Sequence, residues 1–159
     1  MTTPVDVALT QLGVVEETGH NDGVPADRYM RGDKLSWCAG FVMWCYDESD
    51  WAPLYRSSKE YYLMRNVQSM EDRMKERGCW FGHRMVDVIE PSDIVFYGDR
   101  AGSDRGQGRH VGLAISGVGG LPVVSFETIE GNYGDSVKKR VISVIDSKVT
   151  GFARPRVAV

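Results

Sequence analysis

The sequence predicts an α+β domain, with N-terminal helices packed on one face of a C-terminal antiparallel sheet of about five to six strands. Helical periodicity is confined to the first half of the chain, and short β-type runs separated by glycine-rich turns follow Pro91. Helices first and strands second indicate an α+β architecture. Because 159 residues suit one hydrophobic core, we expect a single domain over 1–159.

The first helix is predicted from its start signals. Thr3 is a suitable N-cap, Pro4 fits the first turn, and Asp6 complements the positive N-terminal end of a helix. Apolar residues then recur at helical spacing at Val5, Ala8, Leu9 and Leu12. Gly13 is the predicted stop. The stretch to about Leu35 is predicted to be a long loop, since it is polar, rich in Gly and Asp, and without periodicity.

Two more helices follow. Ser36 is a candidate N-cap of the segment SWCAGFVMWCY, whose apolar residues fall on nearly every side, as in a helix buried within a domain. The segment from about Ser58 to Lys75 carries an apolar stripe opposite its charges, which predicts a surface helix. The stripe consists of Leu63, Val67, Met70 and Met74.

Five β-type runs supply the predicted sheet. They are DIVFY, HVGLAIS, PVVSFETIE, VKKRVISVI and the terminal TGFARPRV. Each is rich in β-branched or aromatic residues, and turn residues separate them, which is typical of antiparallel strands.

Composition disfavours nucleic acid and membranes as partners. The formal net charge of -3 provides no large positive field for a polyanion. Two short basic groups are interpreted as solvated loop charge: Arg100, Arg105 and Arg109, and Lys138, Lys139 and Arg140. No apolar run approaches the roughly 18 residues that span a bilayer.

The N-terminus and the cysteines indicate a protein made in the cytoplasm. MTTPVDVALTQLG lacks the basic start, apolar core and cleavage site of a signal peptide. The three cysteines match neither a disulfide framework nor a zinc-binding pattern. We expect no metal, no cofactor and a monomeric chain.

Cys38 is a candidate nucleophile because it lies near the start of the predicted buried helix. The unsatisfied N–H groups and the dipole at that end favour a thiolate and can hold the negative oxygen of a tetrahedral intermediate. Cys45, one or two turns deeper, gains neither benefit. The alternative is that Cys38 is a small buried apolar residue, as most free cysteines are.

Of the three histidines, His110 is the candidate base, because His20 and His83 lie in predicted loops. Strand alternation places His110 on one face with Gly112, Ala114 and Ser116. Small side chains on that face leave room for a helix, so we infer that the Cys38 helix packs over it and brings thiol and imidazole together. The alternative is a surface or structural histidine.

A catalytic imidazole also needs a partner for its far nitrogen. The segment SFETIEGNYGD offers Glu127, Glu130 and Asn132. The two glutamates have opposite strand parity, so a regular strand turns at most one of them toward the site. Parity leaves the choice open, and a solvated strand end is the alternative.

At these residues the sequence resembles the CHAP family, the cysteine- and histidine-dependent amidohydrolases and peptidases of phage endolysins and bacterial wall hydrolases. Six ordered segments along nearly the whole chain carry the likeness: ALTQLGVVEETGHNDG, SWCAGFVMWCY, EPSDIVFY, RHVGLAIS, TIEGNYGD and GFARP. The resemblance implies a papain-like CHAP fold.

Carried over position by position, the resemblance implies Cys38 as the nucleophile and His110 as the general base. The acid of the family's Glu-x-Asn block falls on Glu130 and the amide on Asn132. Glu127 becomes the fallback.

Two departures from the family pattern precede the sheet and the nucleophile. Pro91, Ser92 and Asp93 stand where the family often has a Pro-Gly-Asp turn, and Asp33 stands alone where some members have a calcium-binding aspartate pair. This departure from the family pattern argues against a calcium site. The family's long loop before the cysteine often borders the substrate groove, which implies substrate-binding roles for Tyr29, Lys34 and Trp37. Trp37 is also a candidate core anchor.

The resemblance implies an endolysin-like hydrolase whose partner is bacterial peptidoglycan. It would cut either the bond between muramic acid and L-alanine or a bond in the stem peptide or crossbridge. With no visible signal peptide or separate wall-binding domain, we expect it to reach the wall after release through a membrane pore or by injection. The alternatives are a cytosolic amidase on a peptide conjugate such as glutathionylspermidine, and a non-catalytic domain with the same fold.

Overall fold

The helices and the sheet occur in the predicted order. A computed structural model describes residues 1–98, 109–119 and 124–155, and within these ranges five α-helices come before a six-stranded antiparallel sheet, so the α+β class is confirmed. The helices are α1 Pro4–Leu9, α2 Val24–Tyr29, α3 Cys38–Asp47, α4 Ser58–Met64 and α5 Val67–Glu76. None of the described helices is both long and apolar enough to cross a bilayer.

The sheet has the spatial order β1-β6-β2-β3-β4-β5. Its strands are β1 Trp80–Gly82, β2 Ile94–Tyr97, β3 His110–Ala114, β4 Ser125–Glu130, β5 Lys138–Ser143 and β6 Val149–Ala153. A 3₁₀ helix, His83–Val88, joins the first two strands. The sequence did not predict β1, because its three residues are too short to show alternation and depend on pairing with β6.

Helix α1 begins as predicted. The Thr3 hydroxyl accepts a hydrogen bond from the Asp6 amide, and the Asp6 carboxylate accepts one from the Thr3 amide, which completes a capping box. The long loop predicted after it is partly wrong, because α2 lies within it. With six residues and a proline in its first turn, α2 is too short for a periodic signal, and burial of Ala26 and Tyr29 holds it in place.

Helix α3 is the buried helix that the sequence predicts, but Ser36 does not cap it. The N-cap is Trp37, which makes no side-chain cap hydrogen bond, and Cys38 is the first helical residue. Two glycines set how closely α3 approaches its neighbours. A Cβ at Gly40 would lie 2.6 Å from the Tyr29 carbonyl oxygen of α2, and one at Gly131 would lie 2.6 Å from Phe41 Cβ.

The single helix predicted from about 58 to 75 is two helices, α4 and α5. The chain breaks at Arg65 and Asn66, where the Asn66 side chain accepts a hydrogen bond from the Ser69 amide and caps α5. The stripe is therefore interrupted. Leu63 is 48% exposed, whereas Val67, Met70 and Met74 are buried.

The two faces of the sheet carry separate apolar clusters. The face that packs against the helices presents Ile94, Phe96, Val111, Leu113 and Ile129. The opposite face presents Val95, Tyr97, Ala114, Phe126, Ile142 and Phe152. Strand alternation assigns His110 and Glu130 to this second face, where His110 is the first residue of β3 and Glu130 is the last residue of β4.

Candidate active site

Cys38 and His110 meet where helix and sheet adjoin. Cys38 is the first residue of α3, and His110 is the first residue of β3. The two side chains adjoin, since Cys38 acts on the pKa of His110 both as a hydrogen-bonding partner and as a charge. Cys38 is only 4% exposed, and the His110 side chain is 23% exposed, so the pair lies in a nearly dry environment that still opens to solvent.

The packing that we inferred for this contact is wrong in its choice of face. Helix α3 packs against Val111 and Leu113, not against the small residues beside His110. The space at Gly112 is taken by a carboxylate instead, since a Cβ there would lie 2.6 Å from Glu130 Cγ. Small side chains next to His110 therefore admit Glu130, while Cys38 reaches the imidazole at the end of the strand.

Glu130 is the residue that holds the imidazole. His110 Nε2 lies 2.9 Å from Glu130 Oε2, which leaves Nδ1 as the ring nitrogen for Cys38. The Thr128 hydroxyl donates to Glu130 Oε1 at 2.9 Å, and Arg140 Nη1 donates to Oε2 at 2.9 Å. Glu127, the fallback from the sequence, is exposed. The strand register thus decides the choice that parity left open.

These contacts change the acid–base properties of the pair. Burial alone would lower the pKa of His110. Cys38 and Glu130 outweigh this effect through hydrogen bonding and negative charge, and they raise the pKa of His110 from 6.5 to about 9. Burial alone would raise the pKa of Glu130, but His110 and Arg140 outweigh it and lower that pKa to about 2 from 4.5. An imidazolium beside an ionised carboxylate is therefore favoured at neutral pH.

The other two cysteines lie in environments that suppress the thiolate. Burial raises the pKa of the Cys45 thiol, and burial also raises the pKa of the Cys79 thiol. Cys38 differs in its surroundings, because it is the first residue of α3 and adjoins the imidazole of His110.

Asn132 lines the site without contacting His110. Its Nδ2 donates to Ser36 Oγ at 3.1 Å and to Asn21 Oδ1 at 3.5 Å. Its φ of +59° lies in the left-handed region, which Asn tolerates better than most residues. The predicted role of holding the imidazole thus falls to Glu130, and Asn132 joins the loop before α3 to the end of β4.

The three predicted substrate-binding residues do not form the groove. Trp37 is fully buried, its Nε1 donates to Glu16 Oε1 at 2.7 Å, and its ring stacks on Tyr29. Tyr29 is 1% exposed, and its hydroxyl donates a hydrogen bond to Gln11 Oε1. Lys34 is exposed but lies outside the groove lining. The aromatic pair anchors the core, as large aromatics on buried elements commonly do.

An open groove of about 950 Å³ contains the Cys38–His110 pair. Tyr133 and Asn132 line the groove together with these two residues. The His110 ring lies 6.2 Å from the Tyr133 ring. This groove volume lies within the range of about 300 to 1,000 Å³ that ligand sites span, so the groove can hold a short peptide segment or a ligand of similar size.

Several cationic side chains line the groove, which the sequence interpretation missed. Arg140 is in a strand and pairs with Glu130, and Arg109 pairs with the buried Glu71 at 2.6 Å, so neither is solvated loop charge. The missed signal was strand parity, which puts Arg140 opposite Thr128 on the face of Glu130. Lys138 and Lys139 are exposed but also belong to β5. Arg100 and Arg105 lie outside the described residues.

No metal-binding group is formed by the described part of the chain. There, no three His, Cys, Asp or Glu side chains are arranged to hold an ion. Asp33, the lone aspartate considered for calcium from the sequence, forms an ion pair with Arg65 at 2.6 Å.

Comparison of the chain with protein-family models, curated proteins and solved structures finds no match.

Proposed function

We propose that this protein is a cysteine-dependent amide hydrolase with a papain-like CHAP fold that acts on bacterial peptidoglycan. The single observation that carries the proposal is the chain of contacts from Cys38 to His110 to Glu130, the first two of which line an open groove. A nucleophile, a base within hydrogen-bond reach and a third group that orients the base are the parts that acyl transfer requires.

In the first step, Cys38 Sγ attacks the carbonyl carbon of the scissile amide. A C–S bond forms, and the carbonyl oxygen becomes negative and is stabilised by the N–H groups at the start of α3. Collapse of this intermediate breaks the C–N bond. The leaving nitrogen takes the proton from the His110 imidazolium, which leaves a neutral imidazole and a thioester.

In the second step, water attacks the thioester carbon while neutral His110 accepts its proton. The C–S bond breaks, the carboxylic acid product leaves, and the thiolate and imidazolium return. Glu130 keeps the ring orientation fixed and stabilises its positive form in both steps, because its buried carboxylate cannot be screened by water.

Peptidoglycan as the substrate is supported by two features. Five of the six ordered segments that resemble CHAP proteins contribute residues to the groove lining. The groove is open, and Tyr133 offers a 41% exposed ring beside the reactive pair, as a peptide or glycan strand requires. The bond cut is the muramoyl–L-alanine bond or a bond of the stem peptide or crossbridge.

The proposal is tested by digestion of purified cell walls, followed as turbidity loss with mass spectrometry of the fragments. Cys38→Ala and His110→Ala should lose clearing while their circular dichroism stays native, and Cys79→Ala is the matched control, since Cys79 lies outside the groove. Fragment masses identify the bond. Wall digestion by Cys38→Ala would refute the mechanism. Hydrolysis of soluble peptide conjugates without wall clearing would point to the other amidase function.

A further inference from the structure

The Glu130 carboxylate has a second cation beside the imidazole. Arg140 lies on β5, directly opposite Thr128 of β4, and reaches the same face of the sheet as Glu130. Its Nη1 donates to Oε2, the oxygen that also faces His110 Nε2, and both separations are 2.9 Å. Three neighbouring strands therefore converge on one carboxylate.

The position of Arg140 is fixed by more than this ion pair. Its guanidinium carbon lies 4.2 Å from the centroid of the Tyr133 ring and 5.5 Å from that of Tyr97. Only 20% of the Arg140 side chain is exposed, and the Glu130 side chain is fully buried. The guanidinium is thus held in one place against the carboxylate, with little water to screen the pair.

We propose that Arg140 is a positioning residue that fixes the Glu130 rotamer and takes part of its negative charge, so that His110 gives up its proton more readily. This inference rests on the proposed function, in which His110 protonates the leaving nitrogen.

The physical reason lies in the shared oxygen. A buried carboxylate with one cationic partner would bind the imidazolium proton very tightly and make it a poor acid. A second cation on the same oxygen withdraws charge from that contact, and it also repels the imidazolium directly. A general acid works best when its acidity is close to that required at the operating pH, so the shared arrangement assists proton transfer to the amine.

The test is an NMR titration of the His110 ring protons in four proteins. In Arg140→Gln, we expect the His110 pKa to rise by about one unit relative to wild type, because a unit positive charge close to the imidazolium is lost in a poorly screened site. In Arg140→Lys, which keeps the charge, the change should be about 0.3 or less. Lys139→Gln is the matched control: it removes the neighbouring charge of the same strand from an exposed position.

An unchanged His110 pKa in Arg140→Gln would overturn the inference, and so would an equal rise in Lys139→Gln or in Arg140→Lys. Arg140→Met serves as a second neutral variant. If neither neutral variant folds, the ion pair is a requirement of the fold and the positioning role is rejected.

Activity measurements separate this inference from the proposed function. In Arg140→Gln the alkaline limb of the pH profile of kcat/KM should move up together with the His110 pKa, while kcat falls about 3- to 10-fold at neutral pH because the acid is weaker. The NMR titration needs no substrate. Absence of wall digestion by the wild type would therefore reject the proposed function and leave the effect of Arg140 on His110 measurable.

Discussion

Neutralising Glu130 is the sharpest perturbation that the site offers. Glu130→Gln keeps the size of the side chain and removes the charge that faces His110 Nε2 at 2.9 Å. The pKa of His110 is about 9 instead of 6.5, a difference of about 2.5 that corresponds to about 3 kcal/mol. Cys38 and Glu130 supply that stabilisation together, against a burial cost that lowers the pKa. If Glu130 supplies about half, its loss lowers the His110 pKa by about 1 to 1.5.

The expected sign follows from the form of the imidazole that is active. The imidazolium accompanies the thiolate and is lost as pH rises through its pKa, so wild-type kcat/KM should fall above about pH 9. In Glu130→Gln this alkaline limb should move down by about 1 to 1.5 pH units, and kcat at neutral pH should fall by about 100-fold because the ring is no longer held. Arg140 is also left without its counter-ion, which adds to the loss.

The assay is the pH dependence of fragment release from purified walls. Glu127→Gln is the matched control, because Glu127 lies on the same strand with the opposite parity and is exposed. An alkaline limb that stays near pH 9 in Glu130→Gln would refute the assignment of Glu130 as the partner of the imidazole.

Two further outcomes are expected. A thiol-directed alkylating agent should modify Cys38 at pH 7 at least about 10-fold faster than Cys45 or Cys79, because burial raises the pKa of those two thiols. Peptide mapping measures the three rates, and equal rates would indicate that Cys38 is not activated. Gly112→Ala should reduce wall digestion about 10-fold or more, because a Cβ at Gly112 would lie 2.6 Å from Glu130 Cγ and displace that side chain. Gly119→Ala should not reduce it, because a Cβ at Gly119 would meet no atom within 4 Å. Equal activity of the two variants would contradict the packing of Glu130 against Gly112.

The sequence predicted the features that depend on interactions between neighbouring residues. The capping box at Thr3 and Asp6 and the buried character of α3 depend on residues close together in the chain, and both are present. The contact between Cys38 and His110 was also predicted, although from the wrong face of the strand. The residues with the required chemistry were few enough that two adjoining residues were chosen despite an incorrect packing argument.

What the sequence did not predict depends on partners far away in the chain. Asn66 is a residue type that commonly caps helices, but the apolar stripe at 63, 67, 70 and 74 continues across it, so the sequence did not indicate the break between α4 and α5. Arg140 appeared to belong to a basic loop, and only the pairing of β5 with β4 turns it toward Glu130. Trp37 was placed at the groove because the loop before the cysteine borders the groove in CHAP proteins, whereas its indole N–H donates to Glu16 in the core.

On the proposed mechanism, the charged network around Glu130 serves the chemistry more than the stability of the fold. Burying an ionised carboxylate has a desolvation cost that its partners offset only when all of them are present, and removing one partner of such a pair typically costs about 3 to 5 kcal/mol. A well-packed apolar side chain at 130 would avoid that cost and still fill the space beside Gly112. It would leave His110 without an orienting partner and Arg140 without a counter-ion. The charges at this position are therefore best explained by the need to hold and tune one imidazole next to Cys38.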